Sequence, residues 1–132
     1  MRMKPYLTPD DAHKMMQACK AEAERNKWDV TIAIVDDAGY LILLERLTNA
    51  NPISADVALG KARTAAITRR PTKFWEERVK ERPVFLGYPA DLFIQGGLPV
   101  MHQKECVGAI GVSGVQSHED EQVAQAGIAA LG

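Results

Sequence analysis

The chain has 132 residues, 46% of them hydrophobic and 25% charged, which is the balance of one packed globular domain spanning 1–132 and excludes a disordered or fibrous chain. Sixteen Lys and Arg against 17 Asp and Glu leave a formal charge of −1, so no global field draws nucleic acid or an anionic membrane surface. No apolar run approaches the roughly 18 to 20 residues of a bilayer span, and Met1 to Pro5 lead into a polar segment, so a cytoplasmic location is expected.

Thr8, Pro9, Asp10 and Asp11 open the first helix, with the Thr8 hydroxyl as cap, Pro at the first position and Asp11 completing a capping box. Ala12, Met15, Met16, Cys19 and Ala23 recur at three- and four-residue spacing, which predicts a helix from Pro9 to Asn26 with one apolar stripe. Val30 to Val35 is short and β-branched and stops at Asp36, Asp37, Ala38 and Gly39. Tyr40 to Leu47 resumes the pattern, so the two runs read as an antiparallel hairpin. Apolar residues on both faces of the first run make it a central strand.

A second helix is expected from Ser54 to Thr68, with Ala55, Ala58, Ala62, Ala65 and Ala66 forming a stripe of small side chains. A third runs from Thr72 to about Arg82. Pro83 to Asp91 is apolar yet broken by Pro83, Gly87 and Pro89, which suits a flap or an interface loop. Leu92 to Ile94 and Leu98 to His102 read as two short strands around Gly96 and Gly97, and Cys106 to Ser113 as a longer one. Val107, Ala109, Gly111 and Ser113 share one of its faces, small enough for a helix or ligand to come close. Ser117 is the expected cap of a last helix, with Asp120 completing its capping box. Consecutive strands without crossover helices argue for an antiparallel α+β arrangement with helices on both faces.

Cys19 and Cys106 are far apart and form no C-x-x-C pair, so both are expected to be reduced and buried. His13, His102 and His118 have no metal-centre spacing, and no metal site is expected. A lone histidine still ligates haem iron, with His13 and His102 the candidates. Gly108 to Gly114 feeds a helix start, where Ser113 and Gly114 are candidates for an anion site. Lys61 lies at the edge of the alanine stripe and Arg46 at the end of the second strand. Together these two cations are expected to converge on an organic acid or a haem propionate. Asp37 at the strand end and Glu119 at the helix start are candidate proton-transfer groups.

Ile34-Val-Asp-Asp-Ala-Gly39, Lys61-Ala-Arg-Thr-Ala65 with Pro71-Thr72, Gly96-Gly-Leu-Pro99, and Gly108-Ala-Ile-Gly-Val-Ser-Gly114 with Glu119-Asp-Glu121 together resemble the GlcG/HbpS family, the haem-degrading or DUF336 domain, along nearly the whole chain. The resemblance implies a profilin-like fold with a five-stranded antiparallel sheet, and a homo-oligomer. The chain departs from the family pattern at Leu47-Thr-Asn-Ala50 and at Gln103-Lys-Glu105, where relatives carry Met-Asp-Gly-Ala and an Asp-Gly turn.

Two functional readings result. One is a binding protein that takes haem or a related planar acidic ligand in an oligomer-interface pocket, with Lys61, Arg46, Gly97, Ser113 and Gly114 as binding residues. The alternative is a catabolic-pathway enzyme, a hydrolase, lyase or tautomerase acting on a small unsaturated organic acid through Lys61, Glu119 and Asp37. A third, structural reading is an accessory subunit that docks through Pro83 to Asp91.

Overall fold

The computed structural model describes all 132 residues. In chain order they form α1 (Pro9–Arg25), β1 (Thr31–Asp36), β2 (Leu41–Arg46), α2 (Ser54–Thr68), α3 (Thr72–Glu81), a 3₁₀ turn (Pro83–Gly87), β3 (Gly97–His102), β4 (Glu105–Ser113) and α4 (Ser117–Ala129). The sheet is antiparallel throughout and has four strands in the order β2-β1-β4-β3. The expectation of five strands is therefore corrected. Leu92 to Ile94 does not pair, because the polar groups around it are held elsewhere: the Asp91 N–H donates to Thr64 Oγ1 at 2.9 Å and the Gln95 N–H to Glu76 Oε1 at 3.2 Å.

β1 is central, as its two-sided apolar pattern requires, and is covered on both faces. One face carries Val30, Ile32, Ile34, Ile110 and Val112 against Met15, Met16, Cys19 and Val123 of α1 and α4. The other carries Ala33, Val35 and Ala109 against Ala58, Ala62, Ala65 and Ala66 of α2. Ala33 stands opposite Gly111 and Val35 opposite Ala109, so the sheet offers α2 a floor of small residues. A Cβ on Gly111 would run into the Ala58 carbonyl oxygen and the Ala62 amide nitrogen, so only glycine admits the helix at this depth. Trapped between these layers, Cys19 and Cys106 are both unpaired and buried, and burial pushes the Cys19 thiol up to about 12.

Two local irregularities shape the surface. The β3–β4 register shifts at Val107, a bulge that turns Val107 to the α1/α4 side and so ends the small-residue face earlier than strict alternation predicts. The hairpin turn beyond it places Gln103 and Lys104 at φ of 51° and 66°, the left-handed conformation for which an Asp-Gly turn is better suited. At the chain's start the expected capping box is present: Thr8 Oγ1 accepts from the Asp11 N–H at 3.1 Å, and the Asp11 carboxylate accepts from the Thr8 N–H at 2.9 Å.

Candidate functional site

The alanine stripe of α2 brings Lys61 down onto the sheet rather than out to its edge. Its side chain is 2% exposed, and Nζ donates to the Val112 carbonyl at 2.9 Å and to Asp120 Oδ2 at 3.1 Å. Asp120 is equally enclosed, and its other oxygen accepts from the Val115 N–H at 3.2 Å. Burial raises the Asp120 carboxyl above its ordinary value, against the opposing pull of the Lys61 charge and the Val115 hydrogen bond. Gly96, at φ 134°, lies over the ammonium: a Cβ there would fall 2.7 Å from Lys61 Nζ.

Sequence reasoning missed Asp120 as a partner, assigning it to a capping box with Ser117. The cap is Gln116, whose N–H donates to Glu119 Oε1 at 3.2 Å, while Asp120 turns inward. A signal was present in the spacing. Asp120 precedes the buried Val123, Ala124 and Gly127 by three, four and seven residues, which puts it on the core face of α4.

Lys61, Gly97, Ser113 and Gly114 are brought to one end of the β3–β4 pair. Gly97 packs on the Lys61 backbone carbonyl, Ser113 directly follows Val112, and Gly114, at φ 149°, packs on Asp29 and Val30. Glu119 is adjacent but occupied as a cap. The other two expected residues lie apart. Arg46 sits exposed on the edge strand and lines a separate recess with Lys20, Glu24, Trp28 and Glu45, so the convergence of Lys61 with Arg46 is not present in the chain. The reason is that Lys61 already has two acceptors beneath the sheet surface. Asp37 lies in the β1–β2 turn, roughly 15 Å along the strand from the Lys61 end at about 3.3 Å per residue. Its carboxylate accepts from Lys4 Nζ at 2.7 Å, and chiefly that hydrogen bond holds it below the usual carboxylate range. Chemically, the Lys61–Asp120 pair ties the start of α4 to α2 and β4. Both groups are engaged and enclosed, which suits a latch better than a reaction centre.

A recess of about 310 Å³ opens elsewhere, between the N-terminal segment, the end of β3 and the end of α4. Tyr6, Leu7, Val100, Val107, Ile128 and Leu131 make its walls, and Met101, His102 and Asp11 also line it. The bulge at Val107 is what adds that side chain to the wall. His102 is exposed at the end of β3, and His13 on α1 does not line the recess. The Asp11 carboxyl is lowered first by the Thr8 hydrogen bonds, with a smaller contribution from the Lys14 charge.

Comparison with known proteins gives a match over residues 7–129 to the family model described as haem degrading protein HbpS-like. Protein GlcG of Escherichia coli (strain K12) is 41% identical over 114 residues, covering 86% of this chain and 85% of GlcG. Among solved structures, a double mutant of Streptomyces reticuli HbpS superposes with a TM-score of 0.92 at 36% identity, covering 100% of this chain and 91% of that one. The PduOC:heme complex, at 24% identity and a TM-score of 0.88 over 96% of this chain and 95% of that one, shares the fold.

Proposed function

The chain belongs to the HbpS-like family, and from that premise we propose that it is a small-ligand-binding protein for a planar acidic molecule, haem first among them. The observation that carries this reading is the apolar recess with His102 and Met101 on its lining. Its side chains suit the edge of a macrocycle: Leu7, Val100, Val107, Ile128 and Leu131 give it an aliphatic wall, and an imidazole and a thioether are both ligands that haem iron accepts. Haem, when bound, would supply an iron with its ligand-binding and redox chemistry. The protein's part is to hold the ring edge between Leu7, Val107 and Leu131 and to present the His102 imidazole. A recess of about 310 Å³ encloses only part of a porphyrin, so a second copy of the chain covering the rest suits the expected homo-oligomer.

On this reading Lys61, Gly97, Ser113 and Gly114 shape the fold next to β3 rather than touch the ligand. A haem titration followed by absorbance tests it. The expected result is a saturable Soret shift at micromolar haem that His102→Ala abolishes and His13→Ala leaves unchanged. A shift that survives His102→Ala refutes the assignment of the recess, and no shift at all turns the reading to a small unsaturated acid and an enzyme.

A further inference from the structure

A second recess, sharing no residue with the first, lies between the end of α2, α3 and the 3₁₀ turn and has a volume of about 390 Å³. Its floor is Trp75, 6% exposed, whose ring centroid lies 5.2 Å from Phe74, 5.9 Å from Phe85 and 4.9 Å from Tyr88. The segment from Pro83 to Asp91, expected to be a flap or an interface loop, thus makes ring contacts with α3 through Phe85 and Tyr88.

Two arginines border this aromatic floor. Arg70 stacks 4.3 Å above the Phe74 ring and Arg78 lies 5.2 Å from the Phe85 ring. Stacking spends the face of a guanidinium and leaves its in-plane N–H donors for another group. No carboxylate comes within 4.0 Å of either arginine, although α3 is rich in acids. Glu76 and Glu77 both lean towards Lys80, at 3.9 Å and 3.8 Å, and Glu76 also accepts the Gln95 N–H. Glu76 and Glu77 are thus drawn to Lys80, Glu81 has neither arginine within 4.0 Å, and the Arg70 and Arg78 guanidinium groups line a common recess.

We infer that this recess is a binding site for a small aromatic carboxylate, with the ring against Trp75 and Tyr88 and the carboxylate held between Arg70 and Arg78. The arginine forks match the planar geometry of a carboxylate, and the aromatic walls reward a flat ring over an aliphatic acid. The site stands independently of haem binding, because none of its residues lines the His102 recess.

Benzoate is the probe, with acetate and benzamide as controls that lack the ring and the charge. Trp75 fluorescence is read in a Trp28→Phe background, and calorimetry on the unaltered chain repeats the measurement without that substitution. Saturable binding of benzoate alone is expected, weakened about tenfold or more by Arg70→Gln and by Arg78→Gln, as for the loss of one charge-assisted pair. Arg78→Lys should recover only part of it, since the charge remains without the fork. Equal responses to acetate or benzamide, benzoate binding unchanged in the Arg70→Gln/Arg78→Gln double variant, or no benzoate binding by calorimetry would overturn the proposal. So would a fluorescence change that follows protein concentration instead of benzoate, which would mean that a second copy covers the recess.

Discussion

Replacing Lys61 by methionine removes a charge while nearly preserving volume, so the loss is electrostatic and does not open a cavity. The ammonium has two protein acceptors, Val112 O and Asp120 Oδ2, and both side chains of the pair are almost wholly out of water at 2% and 3% exposure. Lys61→Met leaves Asp120 enclosed with only the Val115 N–H to compensate it. Removing one member of a buried pair costs about 3–5 kcal/mol, a large part of the roughly 5–15 kcal/mol that holds a domain folded. With a urea m-value of about 2 kcal/mol per molar, the unfolding midpoint should fall by about 2 M at constant m. Lys61→Met/Asp120→Asn removes both charges and keeps an acceptor for Val115, so it should recover at least half of that loss.

The pH dependence supplies a sign. Burial already raises the Asp120 carboxyl, and without the Lys61 charge it rises further. A carboxyl raised on folding favours the fold in acid, and that contribution disappears as pH climbs through its folded value. The deficit of Lys61→Met should therefore be smaller at pH 5 than at pH 8. A midpoint change below about 0.5 M, or a double variant as unstable as the two single losses added, would refute the argument that these groups stabilise each other.

Two further outcomes follow from packing and backbone geometry. Gly111→Ala should destabilise by about 3 kcal/mol or leave the chain insoluble, since the added methyl meets rigid helix backbone rather than a movable side chain; a thermal melt within a degree or two of the parent would contradict the close approach of α2. Lys104→Gly relieves a left-handed residue at φ 66° and should raise stability by about 1 kcal/mol, read as a higher melting temperature.

Much of the fold was legible because it is written in short periods. The first helix is announced by Thr8, Pro9 and Asp11 and by the spacing of Met15, Met16 and Cys19, and the central position of β1 by its double-sided burial. Ala33, Ala109 and Gly111 also advertise the close packing of α2, since small residues on facing elements have few other uses. The candidate site was less legible. His102 was named as a possible ligand, but the recess it lines joins the N-terminal segment, β3, β4 and α4, and depends on a bulge at Val107 that no alternation pattern displays.

What the amino-acid order determined by itself is local: where helices and strands begin, which side of each is apolar, and which family shares these motifs. Tertiary structure decided the partners. Lys61 looked like a cation at the rim of a stripe, and Asp120, 59 residues away, like part of a cap. Each finds the other only because α2 is drawn so near the sheet that Lys61 cannot extend to solvent, and a buried charge must then be met by an opposite one. Arg46, on an exposed edge with two strands between it and β3, is under no such compulsion. The hydrophobic pattern is set by neighbours along the chain, whereas a charge is satisfied by whatever the fold places beside it.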